Sequence, residues 1–216
     1  MDKTVDLKIN TFFGKYKRYL YKKHHVLIQA NQNPDAIYKV ESGQVVQYDI
    51  SEQGNKVIIN TYKSPAYFPM SWAVNRTPNI YNYQTVTDTI VRKAPAEEAI
   101  TFIKTNPDVL YELLSRVYLG REVMMRRMAH SMAGNAKTRL LFELLLEAQR
   151  FGQKHANVKG LVVPIRVNDL ADRTGLTRET VSRELAKMKS LGITTSRKGI
   201  IVQELGTLED ELGNSL

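Results

Sequence analysis

Apolar and polar positions alternate through DAIYKVESGQVVQYDISEQGNKVIINTYKS, residues 35–64. Ile37, Lys39 and Glu41 fall on one side of an extended chain and Tyr38 and Val40 on the other. The pattern resumes over Val45–Ile50 and Val57–Tyr62. Gly43 and Gly54 stand at turn positions, so short antiparallel strands of a barrel or roll are predicted. NYQTVTDTIVRKA, residues 82–94, adds another β-rich run.

The period changes in NPDVLYELLSRVYLGREVMMRRMAHSMAGN, residues 106–135. Leu110, Leu114, Val117, Met124 and Met128 recur at three- and four-residue steps, the seam of a helix that pairs with another. Leu113 widens the seam, and Gly120 permits close approach of a partner. Pro107 suits a first helical turn, where its missing N–H costs no hydrogen bond. Gly134-Asn135 breaks the helix and offers an N-cap to AKTRLLFELLLEAQRFG, residues 136–152. Leu140, Leu141, Leu144 and Leu145 form the buried face of that helix, and Gly152 ends it.

VNDLADRTGLTRETVSREL, residues 167–185, reads as a short helix, a turn at Gly175 and a second helix. Leu170 and the small Ala171 face inward in the first helix, and glycine accepts positive φ at the turn. In the second helix Val181, Leu185 and Met188 share an arc of roughly 60°, a stripe that has to be buried. Arg178, Glu179, Ser182 and Arg183 occupy an arc of about 140° elsewhere. Thr177 precedes them as N-cap. Such a face is either ordinary solvated surface or one made to touch DNA. A helix-turn-helix puts the N-terminal part of its second helix in the major groove. There arginine grips guanine O6 and N7, and glutamate accepts from cytosine N4.

Composition sharpens this reading. The chain has 216 residues, 31 Lys and Arg against 22 Asp and Glu, and a formal net charge of +9, which favours a polyanionic partner. No apolar run has the length of a signal peptide or membrane span, so a cytoplasmic location without membrane contact is expected. Cysteine is absent, which excludes disulfides and cysteine-ligated iron–sulfur clusters. His24, His25, His130 and His155 show no metal-ligand spacing, and no nucleophile–base or phosphate-loop motif occurs. The expectation is therefore not an enzyme. A recombinase-type enzyme carrying a helix-turn-helix is the distant alternative, and it needs a separate catalytic domain that the β-pattern does not offer.

LADRTGLTRETVSRELAKMKSLGIT, residues 170–194, resembles the DNA-binding helices of the Crp/Fnr family of bacterial transcription regulators. TTSRKGIIVQE, residues 194–204, resembles the β-hairpin wing of their winged helix, turning at Arg197, Lys198 and Gly199. IYKVESGQVVQYDISEQGNKVIINTY, residues 37–62, is similar to the central strands of a cyclic-nucleotide-binding β-roll. The resemblance implies an α+β chain with three parts. These are a β-roll sensor-like domain at 1–105, a dimerisation helix and hinge at 106–134, and a winged helix-turn-helix at 135–216. It implies a homodimer on double-stranded DNA, with RNA polymerase as a further partner through a surface loop near the exposed, basic residues 152–160.

Carried over position by position, Arg178, Glu179 and Arg183 match the base readers of the catabolite-activator branch. Glu179, Ser182 and Arg183 match the reading triplet of the fumarate–nitrate branch. Thr177 and Thr180 match residues that hold phosphates, and Arg197 and Lys198 of the wing are assigned the same role. Half-sites with a TGA-like core are expected. The phosphate cassette of the family departs from its pattern here. Met70 and Ser71 stand where Gly-Glu is expected, Ile80 or Tyr81 stands near the arginine position, and Arg76 comes too early. Met124 and Met125 replace the Thr–Ser pair that holds adenine. Cyclic AMP is therefore not expected as a cofactor, and no other effector is identifiable. The aromatic Tyr62, Tyr67, Phe68, Trp72, Tyr81 and Tyr83 are core or lid packing, or they line a pocket for another effector. The candidate pocket is Tyr62, Phe68, Trp72, Tyr81, Met124 and Met125. With no effector, the roll is a scaffold for a regulator always competent for DNA.

Overall fold

The computed structural model describes residues 2–156 and 158–213. The chain runs α1 (Lys3–Gly14), β1 (Arg18–Tyr21), β2 (Val26–Ile28), β3 (Ala36–Ser42), β4 (Gln44–Ile50), β5 (Lys56–Lys63), β6 (Ala66–Phe68), α2 (Met70–Asn75), β7 (Asn82–Thr85) and β8 (Thr89–Pro95). Then follow α3 (Ala96–Thr105), α4 (Pro107–Ala133), α5 (Ala136–Phe151), β9 (Gln153–Lys154), β10 (Leu161–Val163), α6 (Val167–Thr174), α7 (Arg178–Lys187), β11 (Ile193–Ser196), β12 (Gly199–Val202) and α8 (Leu205–Gly213). Its packing divides it into two compact units, 1–119 and 120–216, with the boundary inside α4.

In the first unit two antiparallel four-stranded sheets, in the orders β1-β8-β3-β6 and β2-β7-β4-β5, form a roll. The alternation read over residues 36–63 gives β3, β4 and β5, with β4 and β5 paired from Gln44–Lys63 to Ile50–Lys56. Ile28, Tyr38, Val40, Val45, Phe68, Tyr83 and Val91 fill the space between the sheets.

The outer face of the first sheet differs from a solvated one. The helices α1 and α3, which the alternation of the roll did not indicate, cover it with Val5, Ile9, Phe12, Phe13 and Ala99. Ile37, Ala94 and Val109 join that second core. Lys39, read as part of a polar face, is consequently 5% exposed, and its Nζ donates to Asn10 Oδ1. Burial pulls its pKa below the usual lysine value, because the charged form loses hydration.

In the second unit α5, α6, α7 and α8 pack with a sheet ordered β11-β12-β10-β9. The helix α5 is buried all round, not on one face: Phe142, Glu143, Leu146 and Glu147 are buried along with Leu140, Leu141, Leu144 and Leu145. Its N-cap Asn135 accepts the N–H of Thr138 at 3.1 Å, so the break at Gly134-Asn135 is locally encoded.

Candidate nucleic-acid interface

The second unit holds α6 and α7 as a tight pair. The α6 helix buries Leu170 and Ala171 and ends at Gly175, whose φ of 66° lies in the left-handed region. No neighbour lies within 4 Å of where a Cβ would stand on Gly175, so glycine is there for its backbone angle and not for space. The α7 helix then starts from Thr177, whose hydroxyl accepts the N–H of Thr180 at 3.2 Å and donates to the Thr180 hydroxyl at 3.0 Å. Val181 is 0%, Leu185 4% and Met188 1% exposed. Each side chain buried to that degree contributes about 1.5–3 kcal/mol, which fixes the rotation of α7 about its axis. Met188 belongs to the 3-10 turn Met188–Leu191 that continues the helix.

That rotation leaves Arg178, Glu179, Ser182 and Arg183 exposed together. Arg183 Nε lies 3.9 Å from Glu184 Oε1, a loose contact that leaves the side chain 65% exposed. Glu184 is the missed member of this surface: it is mostly covered and accepts Lys187 Nζ at 2.8 Å. In the wing, β11 and β12 pair from Ile193–Val202 to Ser196–Gly199. Arg197 and Lys198 are exposed in the two-residue turn between them. Gly199 is the first residue of β12, and a Cβ there would lie 2.0 Å from the Val163 carbonyl oxygen. Of the basic stretch 152–160, Asn157 lies outside the described residues.

The candidate effector residues of the first unit fall in two separate cores. Tyr62, Phe68 and Tyr81 belong to the interior of the roll. Trp72 packs in the other core, with Met70 and Tyr67, because α2 turns the chain away from the interior strands. Met124 and Met125 are 51% and 47% exposed on α4 in the second unit. Within the roll, Phe68 stacks on Tyr38 and on Tyr83 with centroids 5.2 and 5.0 Å apart, and Tyr62 lies 5.1 Å from Phe68.

Nearby cations are engaged. Arg76 pairs with Glu97, and Arg92 pairs with Glu41 and donates to the carbonyls of Gly14 and Tyr16. Lys93 Nζ sits 5.0, 5.4 and 4.9 Å from the ring centroids of Tyr19, Tyr21 and Tyr38. Among the described residues no group of three or more His, Asp or Glu is placed to hold a metal ion. On the long helix, Leu110, Leu114, Val117 and Met128 are 48%, 46%, 61% and 57% exposed.

A β-roll, a long helix with bare apolar residues and a winged helix-turn-helix with an exposed Arg/Glu face define a class of DNA-binding regulators. Residues 138–211 match the Crp-like helix-turn-helix domain, and residues 19–106 match the cyclic nucleotide-binding domain. The chain belongs to the Crp/Fnr family of transcription regulators, which are not enzymes. It is 23% identical to the anaerobic regulatory protein of Haemophilus influenzae over 205 residues, covering 89% of this chain and 75% of that one. The protein of the same description from Aggregatibacter actinomycetemcomitans is 22% identical over the same share of each.

Solved structures share the fold. The global regulator CLP of Xanthomonas campestris, described as responsive to c-di-GMP, has a TM-score of 0.78 at 15% identity, covering 92% of this chain and 99% of that one. A double mutant of CooA from Carboxydothermus hydrogenoformans has a TM-score of 0.77 at 16% identity, covering 94% and 90%. FixK2 of Bradyrhizobium japonicum has a TM-score of 0.73 at 20% identity, covering 90% and 96%. Among the described residues no helix is long and apolar enough to cross a membrane.

Proposed function

We propose that this regulator is a cytoplasmic homodimer that binds an inverted-repeat site in double-stranded DNA. Arg178, Glu179, Ser182 and Arg183 read bases, and Thr177, Thr180, Arg197 and Lys198 hold phosphates. The single observation that carries the reading is the division of α7, with Val181 and Leu185 fully packed while four groups of base-reading chemistry stand bare, in a unit that also exposes a basic wing tip. The exposed stripe Leu110, Leu114, Val117, Met124 and Met128 supports the dimer, because large apolar side chains at that spacing seek a second helix. RNA polymerase is the expected further partner. Sedimentation together with a titration of one half-site against an inverted repeat tests the proposal. A dimer that prefers the repeat supports it, and a monomer with undiminished half-site affinity overturns it.

A second reading concerns the roll. Its interior is filled by stacked Tyr38, Phe68 and Tyr83, its nearby cations are engaged by carboxylates, carbonyls and rings, and Met70 and Ser71 offer no carboxylate for a ribose. A cyclic phosphate in such a place lacks a cationic fork. These features favour a degenerate pocket, in which the roll acts as a scaffold of the dimer and DNA competence does not depend on cyclic AMP.

A further inference from the structure

The C-terminal half of α4 carries two faces. Met124, Met128 and Met132 are bare on one, while Val123, Arg127 and His130 are covered on another, about 130° away round the helix. The covered face meets the DNA-binding helices. Val123 touches the core of the winged helix, and the His130 ring lies 4.5 Å from that of Phe142. The guanidinium of Arg127 grips Glu143 with two nitrogens, Nε on Oε1 and Nη2 on Oε2, the latter at 3.2 Å.

Glu143 is 2% exposed and sits one turn before Glu147, which is 6% exposed and pairs with Arg173, Nη1 to Oε1, at 3.3 Å. Arg173 is in α6, the first helix of the helix-turn-helix. Two buried carboxylates on α5 thus tie α4 on one side and α6 on the other. Buried ion pairs often add little net stability, but the bidentate Arg127–Glu143 contact fixes orientation, and the single Arg173–Glu147 contact adds a second tie.

We propose that Glu143 and Glu147 are positioning residues for DNA recognition: they set the angle of the reading helix against the dimer helix and thereby fix which half-site spacing the regulator accepts. The inference rests on the dimer proposed above. Spacing is a sensitive readout, since each added base pair turns the second half-site by about 35° and shifts it by about 3.4 Å.

The test uses the full-length chain and inverted repeats whose spacer varies one base pair at a time. The pair replacement Arg127→Met with Glu143→Leu keeps volume and removes the directional contacts, so it is expected to fold. Arg173→Met with Glu147→Leu is the corresponding pair replacement on the α6 side. Wild type is expected to favour one spacer by about tenfold over its neighbours, and both variants by less than about threefold, with base preference inside a half-site unchanged. Equal spacer discrimination in wild type and in both variants overturns the positioning role alone. Wild-type binding to a single half-site as tight as to any repeat overturns this inference and the dimer reading together.

Discussion

Replacing Arg183 by Ala probes the reading face with little risk to the fold. The side chain is 65% exposed, and its contact with Glu184 is 3.9 Å long. An exposed ion pair of that kind contributes about 0–1 kcal/mol, so the melting temperature should stay nearly unchanged. On DNA the same guanidinium, if bidentate on a guanine edge, accounts for about 1–3 kcal/mol of discrimination per half-site. A two-fold dimer makes the contact twice, so the preferred inverted repeat should lose about 2–6 kcal/mol, roughly 30-fold or more in Kd. The assay is fluorescence anisotropy on the preferred site and on a panel of single-base variants, with folding confirmed by circular dichroism. Preference should relax at one position of each half-site and hold at the others. Unchanged affinity together with unchanged base preference would refute the reasoning and reduce α7 to a solvated helix.

Other outcomes follow from the same geometry. Thr177→Ala removes the N-cap of α7 and should lower stability by about 1 kcal/mol, read by urea denaturation, while weakening binding similarly on all DNA sequences. Leu114→Asp puts a charge in the exposed stripe and should shift sedimentation towards monomer, with loss of preference for inverted repeats. Burial, reinforced by nearby Arg126, holds the pKa of His130 below its ordinary 6.5. The unfolded chain therefore binds the proton more readily, and stability should be full above about pH 6.5 and fall as pH drops through that value. His130→Phe should flatten this slope in urea denaturation at stepped pH; an unaltered slope would place its origin elsewhere. Cyclic AMP at ordinary cellular concentration should leave DNA affinity unchanged, and calorimetry giving a micromolar Kd would show that the roll does hold it.

The reading helix was legible because its signals are local. Thr177 caps, Gly175 supplies the turn angle, and Val181 and Leu185 mark the buried side within ten residues. The strands of the roll were legible from alternation for the same reason. What escaped depends on distant partners. Lys39 looks like a solvent position until α1 brings Asn10 over it, although Val5, Ile9, Phe12 and Phe13 already carry a helical spacing. Trp72 lies near Tyr62 and Phe68 in the chain, yet α2 delivers it to the opposite face of a sheet. Glu143 and Glu147 had a signal of their own: two carboxylates four residues apart inside LLFELLLEA, an apolar run without a polar side to receive them. Their arginine partners lie 16 and 26 residues away, beyond any periodicity.

The central claim, a two-fold dimer reading DNA through α7, is tested most directly by unbiased selection of bound duplexes from a random pool. The account predicts an inverted repeat with a TGA-like core in each half-site and centres about one helical turn, or a multiple of it, apart. Enrichment of single, unpaired half-sites, or of no sequence at all, would contradict it.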